Sequence, residues 1–338
     1  MKIRWLLSAV AAFSLLAYLG IWGYSLMFDD NKAGDPLMEP PAESIPEPEP
    51  APLPPPGMRA VPPDSEPVSD ADEDMVRRLG FELSGTAVDP GGFLVLSAYA
   101  IEDPEMITVS NPFGVKLHFY QVEDHLSALL PVKFSFDPGR YLLSVEGGGY
   151  QESFTITVRD RDFPTQELTV EQSTVDSTIH NESANTEYFS RVQPVKFEAV
   201  DQPLWNDAFL LPVDGSLTSA FGFQRIVNGV PGERHSGIDL AAETGTPVLA
   251  ANSGKVLFAD FVALTGNTVC IEHGLGLKSW YYHMNSLNVT EGETVGRGQQ
   301  IGSVGSTGFS TGPHLHFAIS VWNVYVDPQL LLDAELKV

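Results

Sequence analysis

Cysteine is nearly absent from this sequence. The 338 residues include a single cysteine, Cys270, so no disulfide can form within the chain and no zinc site can be built from cysteine thiolates. Cys270 lies in the apolar, β-branched stretch Asn267-Thr268-Val269-Cys270-Ile271-Glu272, which predicts a small buried side chain. A disulfide-stabilised fold and a cysteine-based metal site are therefore excluded.

Basic residues are also scarce. There are 19 Lys and Arg against 44 Asp and Glu, which gives a formal net charge of −25. A general nucleic-acid-binding protein presents a basic face, so nucleic acid is not an expected partner. The same charge does not favour a chain that lies flat on an anionic membrane.

The negative charge is concentrated in one proline-rich stretch. Residues 29–75 hold 13 acidic and 2 basic residues together with 13 of the 26 prolines. Such a composition cannot bury a core, and polyproline-like segments extend by about 3.1 Å per residue. Residues 29–76 are therefore predicted to be a disordered, Pro- and Glu-rich linker that acts as a spacer, with a proline-rich recognition ligand as the alternative.

The N-terminus carries one long apolar run. Residues 5–28 contain no charge, and their 24 residues exceed the roughly 20 that a membrane-spanning helix needs. Lys2 and Arg4 precede the run and Asp29 follows it, which orients the N-terminus toward the cytoplasm. We expect a single-pass anchor in the cytoplasmic membrane with the rest of the chain extracytoplasmic, in the periplasm or cell wall. A cleaved signal peptide is the alternative, although no small-x-small cleavage site follows.

Residues 77–160 show short alternating strands separated by turn signals such as Asp137-Pro138-Gly139 and Gly147-Gly148-Gly149. This pattern predicts an immunoglobulin-like antiparallel β-sandwich. Such a module would brace the next domain, or alternatively bind wall polymer or an envelope protein partner. His118 and His125 lie here without a convincing ligand set and are expected to be structural or at the surface.

The remainder divides into a connector and a second β-rich region. Residues 161–204 are polar and weakly patterned, which predicts a connector that is partly helical or wrapped on its neighbour. Residues 205–338 are rich in glycine and in short β-branched runs, without a long amphipathic helix, and are predicted to form an all-β domain with a groove. The stretch 225–232 is expected to be a loop with a turn at Asn228-Gly229, placed before the first candidate ligand and bordering the groove.

Five side chains of this domain suggest metal chemistry. His314 and His316 are two apart, and in a strand such residues face the same way. His235 and Asp239 are four apart, an even step that also brings them to one side of an extended chain. A catalytic zinc keeps three protein ligands and an open position, so His235, Asp239 and one histidine of the pair form a suitable set. The other histidine is left for proton transfer, and His283 is a further candidate nearby.

The motifs of residues 205–338 resemble those of the lysostaphin-type (LytM-type) zinc endopeptidases, which cut peptidoglycan peptides. The resemblance is carried, in order, by the stretches Ser219-Ala220-Phe221-Gly222-Phe223-Gln224-Arg225, His235-Ser236-Gly237-Ile238-Asp239, Gly266-Asn267-Thr268-Val269, Glu272-His273-Gly274, Tyr281-Tyr282-His283, Gly302-Ser303-Val304-Gly305-Ser306-Thr307-Gly308 and Thr311-Gly312-Pro313-His314-Leu315-His316-Phe317.

This resemblance implies a role for each candidate residue. His235, Asp239 and His316 would hold Zn²⁺, while His283 and His314 would be the catalytic histidines beside it. The expected reaction is hydrolysis of stem peptides or cross-bridges of bacterial peptidoglycan by a zinc-activated water, assisted by the two histidines.

Several alternatives accompany this prediction. The His-Glu-x-x-His motif of other zinc peptidases is absent, so a histidine must serve as the general base. A non-catalytic wall-binding scaffold, or an activator of another cell-wall hydrolase, is the main alternative, because some relatives of this type have lost ligands. A lipoyl-like carrier is disfavoured, since no suitable lysine lies at a hairpin tip. Finally, the connector 161–204 could shield the zinc site.

Overall fold

The computed structural model describes residues 79–332 and 335–338, and Arg77–Val338 form one compact unit. The predicted membrane anchor 5–28 and the predicted linker 29–76 both lie outside the described residues. Within the described ranges, none of the helices combines the length and the apolarity that a bilayer crossing requires. The described part of the chain consists mainly of β-strands, as the sequence predicts.

Residues 80–158 form two four-stranded sheets. Their strands are β1 (Gly80–Leu83), β2 (Ala87–Val88), β3 (Phe93–Tyr99), β4 (Thr108–Ser110), β5 (Tyr120–Val122), β6 (His125–Pro131), β7 (Gly139–Gly147) and β8 (Tyr150–Val158), and a 3₁₀ turn spans Pro104–Met106. The strand orders are β1-β3-β6-β5 and β2-β8-β7-β4. The predicted all-antiparallel pattern is wrong at one edge, because the two-residue strand β2 pairs in parallel with β8. The likeness to an immunoglobulin domain stays a prediction.

The central strands of the first sheet, β3 and β6, are buried on both faces. Leu94 and Leu96 of β3 belong to the core between the two sheets. Val95, whose side chain points the opposite way, belongs with Leu129 to the core of the C-terminal sheets. This double burial explains the unbroken apolar run Phe93-Leu94-Val95-Leu96, since a strand covered on only one face alternates apolar and polar residues. The N-terminal sheets therefore share a core with the C-terminal region.

The connector 161–204 folds onto its neighbour. It contains β9 (Thr165–Leu168), helices α1 (Gln172–Ser177) and α2 (Glu182–Arg191) and a 3₁₀ turn at Pro194–Phe197. The Asn181 side chain caps α2 by accepting a hydrogen bond from the Ala184 N–H at 3.0 Å. Strand β9 pairs in parallel with a strand of the C-terminal region, which agrees with a connector that is partly helical and wrapped on the next domain.

The C-terminal region is built on a large antiparallel sheet. Its strands are β10 (Ser216–Ser219), β11 (Gln224–Val227), β12 (Val230–Arg234), β13 (Ile238–Ala241), β14 (Pro247–Leu249), β15 (Gly254–Val262), β16 (Gly266–Gly274), β17 (Leu277–Met284), β18 (Ser286–Leu287), β19 (Thr294–Val295), β20 (Gln300–Ser303), β21 (His314–Val321) and β22 (Val324–Val326), followed by helix α3 (Gln329–Leu332). The large sheet has the order β10-β13-β21-β17-β16-β15-β19, with β22 added at β21. Two three-stranded sheets, β12-β11-β9 and β14-β20-β18, accompany it.

Central strands of the large sheet are buried along almost their whole length. Every residue of β17 is buried, and β16 and β21 each have one partly exposed residue. Cys270 is fully buried in β16, as predicted. These strands therefore give a rigid platform for any side chain that projects from their ends.

Candidate metal and catalytic site

The three predicted ligands meet at the junction of β13 and β21. Asp239 lies in β13 directly opposite His316 of β21 in the strand register. His235 precedes β13 and places its Nε2 3.0 Å from Asp239 Oδ1 and 2.9 Å from His316 Nδ1. His316 Nδ1 is itself 2.8 Å from the same carboxylate oxygen. Ligand atoms of these three residues all lie within 4.8 Å of one another, so the group could hold a metal ion.

The hydrogen bonds of His235 fix which ring nitrogen faces the group. Its Nδ1 lies 2.8 Å from the carbonyl oxygen of Ala220. A carbonyl only accepts hydrogen bonds, so Nδ1 carries the proton and Nε2 of the neutral ring presents a lone pair. A histidine lone pair and a carboxylate oxygen therefore point at each other at 3.0 Å, an arrangement that a bound cation satisfies.

Burial and charge favour the protonation states that metal ligands need. Burial opposes ionisation of Asp239, but the adjacent rings of His235 and His316 outweigh burial and hold the pKa of this carboxyl well below its usual range. Burial lowers the pKa of His316 to about 4, against the opposing influence of Asp239. At neutral pH the site thus offers a carboxylate and a neutral imidazole.

The two predicted catalytic histidines flank the same group. His314 lies at the start of β21, and its Nε2 is 3.8 Å from Asp239 Oδ1. The rings of His283 and His314 are 4.9 Å apart between centroids. Both Nδ1 atoms lie 2.8 Å from backbone carbonyl oxygens, those of Thr307 and Gly312 respectively. By the same reasoning as for His235, each ring has an unprotonated Nε2 that can accept a proton.

His283 is held by a close contact between two loops. Its backbone has a φ of 62°, in the left-handed region that side chains other than glycine seldom adopt. The loop at Thr307 approaches so closely that a Cβ added to Gly308 would lie 2.3 Å from the backbone nitrogen of Gly266. Only glycine at 308 allows this approach, and the approach brings the Thr307 carbonyl to His283. Burial, and then the neighbouring His314, lower the pKa of His283 to about 3.

A second layer of residues surrounds the three predicted ligands, and no role was predicted for this layer from the sequence. Arg225 Nη2 donates to Asp239 Oδ2 at 2.5 Å. The Ser219 hydroxyl is 3.1 Å from His235 Nδ1. The ring of Tyr282 stacks on that of His316, with centroids 5.3 Å apart and an angle of 7° between the planes. Arg225 and Ser219 bound the same quoted motif, but their proximity to the ligands depends on the tertiary fold.

Two local predictions are wrong. His235 does not lie on an extended strand with Asp239, since β13 begins only at Ile238; the chain bends at Gly237 and brings the two side chains together. The stretch 225–232 is not a loop but most of a hairpin, in which β11 and β12 are joined by a turn at Asn228 and Gly229. Both turn residues have positive φ, which matches the strong turn signal of Asn-Gly. His273 is fully buried, and its ring is hydrogen-bonded to the Ser253 carbonyl and to the Ser279 hydroxyl.

Comparison with known families agrees with this geometry. Residues 233–328 match the model described as peptidase family M23. These residues form a peptidase M23 domain. The match contains His235, Asp239, His283, His314 and His316, whereas Ser219 and Arg225 lie before it.

Curated relatives match over the same part of the chain. The peptidoglycan DD-endopeptidase ShyB of Vibrio cholerae is 42% identical over 93 residues, which are 28% of this chain and 22% of that protein. The DD-carboxypeptidase/endopeptidase Mpg of Neisseria meningitidis is 44% identical over 94 residues, again 28% of this chain and 22% of the relative. The chain thus spans about a quarter or less of these relatives' length.

A solved structure extends the similarity beyond the M23 domain. A chain from Pseudomonas aeruginosa described as a peptidase M23 is 26% identical with a TM-score of 0.52, and the alignment covers 72% of this chain and 94% of that one. Because this alignment extends far beyond residues 233–328, the two proteins also share the fold of the elements around the M23 domain.

Proposed function

We propose that this protein is a zinc-dependent endopeptidase that hydrolyses peptide cross-links of bacterial peptidoglycan. Its M23 domain has relatives named peptidoglycan endopeptidases. The observation that carries the proposal is the convergence of His235 Nε2, His316 Nδ1 and Asp239 Oδ1 within 2.8 to 3.0 Å of one another. Two imidazoles and a carboxylate are a ligand set that zinc accepts, and three protein ligands leave a position for substrate.

Zinc bound by these three residues would supply a Lewis acid that polarises the scissile carbonyl and makes water nucleophilic at neutral pH. The two flanking histidines would move the protons. In the neutral ring of His314 the lone pair is on Nε2, and the side chain is 15% exposed, so this nitrogen can accept a proton from the attacking water and return it to the leaving amine. His283 is more deeply buried with a pKa of about 3, which favours a neutral ring that accepts a hydrogen bond.

The decisive experiment measures bond cleavage and metal content together. The zinc-loaded protein would be incubated with purified peptidoglycan, and the released fragments would be identified by mass spectrometry. We expect defined peptides from the parent and none from His314→Ala, with one equivalent of zinc bound to both. This pattern would also identify the bond, for which the relatives' names offer a DD-peptide bond in ShyB and a glycyl-glycine bond in the endopeptidase ALE-1 of Staphylococcus capitis.

The main competing function is a scaffold or activator that binds the wall without cutting it. The intact set of three ligands and two histidines favours the enzyme. A scaffold would release no peptides and would retain wall binding in His314→Ala. Peptide release that is equal in the parent and in His314→Ala would contradict the assigned chemistry.

For its place in the cell, we propose that the apolar residues 5–28 anchor the chain and that the M23 domain lies outside the cytoplasmic membrane. Peptidoglycan is extracytoplasmic, so a wall hydrolase must be exported. The acidic, proline-rich residues 29–76 would then span part of the distance to the wall. Protease digestion of spheroplasts tests this: the M23 domain should be cut without permeabilising the membrane, and protection of the domain would contradict it.

A further inference from the structure

The connector is bonded to the strand that carries Arg225. Strand β9 pairs in parallel with β11, and Gln166 lies opposite Arg225 in the register. Asn228 extends the pairing beyond the strands, since its side chain accepts from the Val170 N–H at 2.9 Å and donates to the Val170 carbonyl at 2.8 Å. β11 has no partner in the large sheet and lies between β12 and β9 alone. The position of Arg225 therefore depends on the connector.

The two oxygens of the Asp239 carboxylate have different partners. Oδ1 lies 3.0 Å from His235 Nε2 and 2.8 Å from His316 Nδ1, so it is the oxygen that faces the metal group. Oδ2 accepts from Arg225, whose side chain is only 19% exposed. A carboxylate held in this way offers one oxygen to a metal and is prevented from rotating.

Gln166 acts on the second ligand from the same strand. Its Oε1 accepts a hydrogen bond from the Ser219 hydroxyl at 2.7 Å, and that hydroxyl is 3.1 Å from His235 Nδ1. Ser219 and His235 are both buried. Gln166 thereby fixes the direction of the Ser219 hydroxyl, which lies against the ring nitrogen opposite the one that faces the metal group.

The connector also reaches the third ligand. Tyr282, which stacks on His316, has its hydroxyl 3.2 Å from that of Tyr325. The Tyr325 hydroxyl is 3.5 Å from that of Tyr188 in α2, and the buried ammonium of Lys196 lies 4.5 Å from the Tyr325 ring centroid. All three ligands thus have a second layer that leads to residues 165–196, outside the M23 match.

We propose that Gln166 and Arg225 are positioning residues for the metal ligands, and that the connector 161–204 is therefore part of the working metal centre rather than a removable cover. The proposal rests on the metal-binding part of the proposed function. It assigns to Arg225 the task of keeping Asp239 bound through Oδ1 alone, and to Gln166 the task of orienting His235 through Ser219. Outer-layer partners of this kind typically change metal affinity or activity by about 10–100-fold when they are removed.

The test compares full-length variants by two readouts that do not require hydrolysis. The zinc dissociation constant is measured by competition with a chromophoric chelator, and the visible absorption of the cobalt-substituted protein reports coordination. Gln166→Ala is neutral in charge and should weaken zinc binding about 10-fold. Arg225→Met releases Oδ2, so the carboxylate can bind through both oxygens and the cobalt band should weaken and shift.

Charge needs a separate control at Arg225. Arg225→Met also removes a cation that repels the metal ion. Its zinc affinity therefore combines the changed coordination of Asp239 with the lost repulsion, and the cobalt spectrum is the readout that tests the coordination. Arg225→Lys keeps the charge and should restore part of the parent spectrum. The matched controls are Arg159→Met, which removes a guanidinium paired with Asp89 just beyond the ends of β8 and β2, and Gln172→Ala, at an exposed position of the connector.

The outcomes separate cleanly. Parent-like spectra and dissociation constants in Gln166→Ala and Arg225→Met overturn the inference, as do equal effects in the two control variants. Faster hydrolysis of peptidoglycan by these two variants than by the parent, with unchanged zinc affinity, also overturns the inference, because that result means that the connector covers the site. A parent protein that binds neither zinc nor cobalt overturns the inference and the proposed function together, whereas metal binding without hydrolysis contradicts only the latter.

Discussion

His273 should make the protein sensitive to acid. Its ring is fully buried, with Nδ1 2.8 Å from the Ser253 carbonyl and Nε2 2.7 Å from the Ser279 hydroxyl. Burial lowers its pKa from 6.5 to about 4, and the charge of Lys278 adds to this shift. The unfolded chain therefore binds a proton at a higher pH than the folded protein does. The contribution of the neutral His273 ring to the free energy of unfolding is fully present above pH 6.5 and is lost as the pH drops. The loss is complete below about pH 4.

The size of this stability loss follows from the difference between the pKa of His273 in the unfolded and in the folded protein. A difference of about 2.5 pKa units at about 1.4 kcal/mol per unit gives a loss of about 3 kcal/mol in the free energy of unfolding. Urea denaturation of metal-free residues 77–338 at pH 7.5, 5.5 and 4 would measure it for the parent and for His273→Gln. Other buried histidines titrate in both proteins, so the difference between the two proteins isolates position 273.

The stability gap between parent and His273→Gln should narrow by about 3 kcal/mol from pH 7.5 to pH 4. The matched control is His180→Gln, which makes the same change at an exposed position. A gap for His273→Gln that stays constant within about 0.5 kcal/mol would refute the reasoning, because it would mean that the buried ring is protonated as easily as in the unfolded chain.

Three further perturbations have definite expected results. Gly222→Ala should lower the melting temperature strongly, since Gly222 has φ of 81° and an added Cβ would lie 2.1 Å from the Phe163 ring; an unchanged melting temperature would contradict that packing. Lys278→Met should cost about 3–5 kcal/mol by leaving the fully buried Glu272 carboxylate unpaired, and adding Glu272→Gln should recover most of the loss; urea denaturation of both variants checks this. Removing zinc with a chelator should reduce stability by about 4 kcal/mol relative to protein at a zinc concentration 1,000 times the dissociation constant, with no such change in His235→Ala.

Local rules were sufficient for part of the site. His314 and His316 face one space because strand alternation places residues two apart on the same side, and β21 is a regular strand. The same rule gave the right pairing of His235 and Asp239 for the wrong reason, since a bend at Gly237 brings them together. Their even spacing was therefore a coincidence of the local fold.

The supporting layer depends on contacts that no local rule describes. Gln166 and Arg225 are about 60 residues apart and meet only because β9 joins β11 in parallel. Parallel pairing is set by the tertiary path of the chain rather than by a turn, so spacing in the sequence carries no signal for it. The same holds for Val95, whose burial requires the N-terminal sheets to pack against the C-terminal core.

The end of β17 shows why a residue of the candidate site can depart from a pattern that holds elsewhere. Tyr282 and His283 are consecutive and would point to opposite faces of a regular strand. Here both serve the site: Tyr282 stacks on His316, and the ring of His283 lies 4.9 Å from that of His314. The left-handed backbone of His283 makes this possible, at a cost on the order of 1–3 kcal/mol that the contact between the loops at Gly266 and Gly308 must offset. A sequence rule assumes unstrained backbone, so it fails at the residue where strain positions the imidazole.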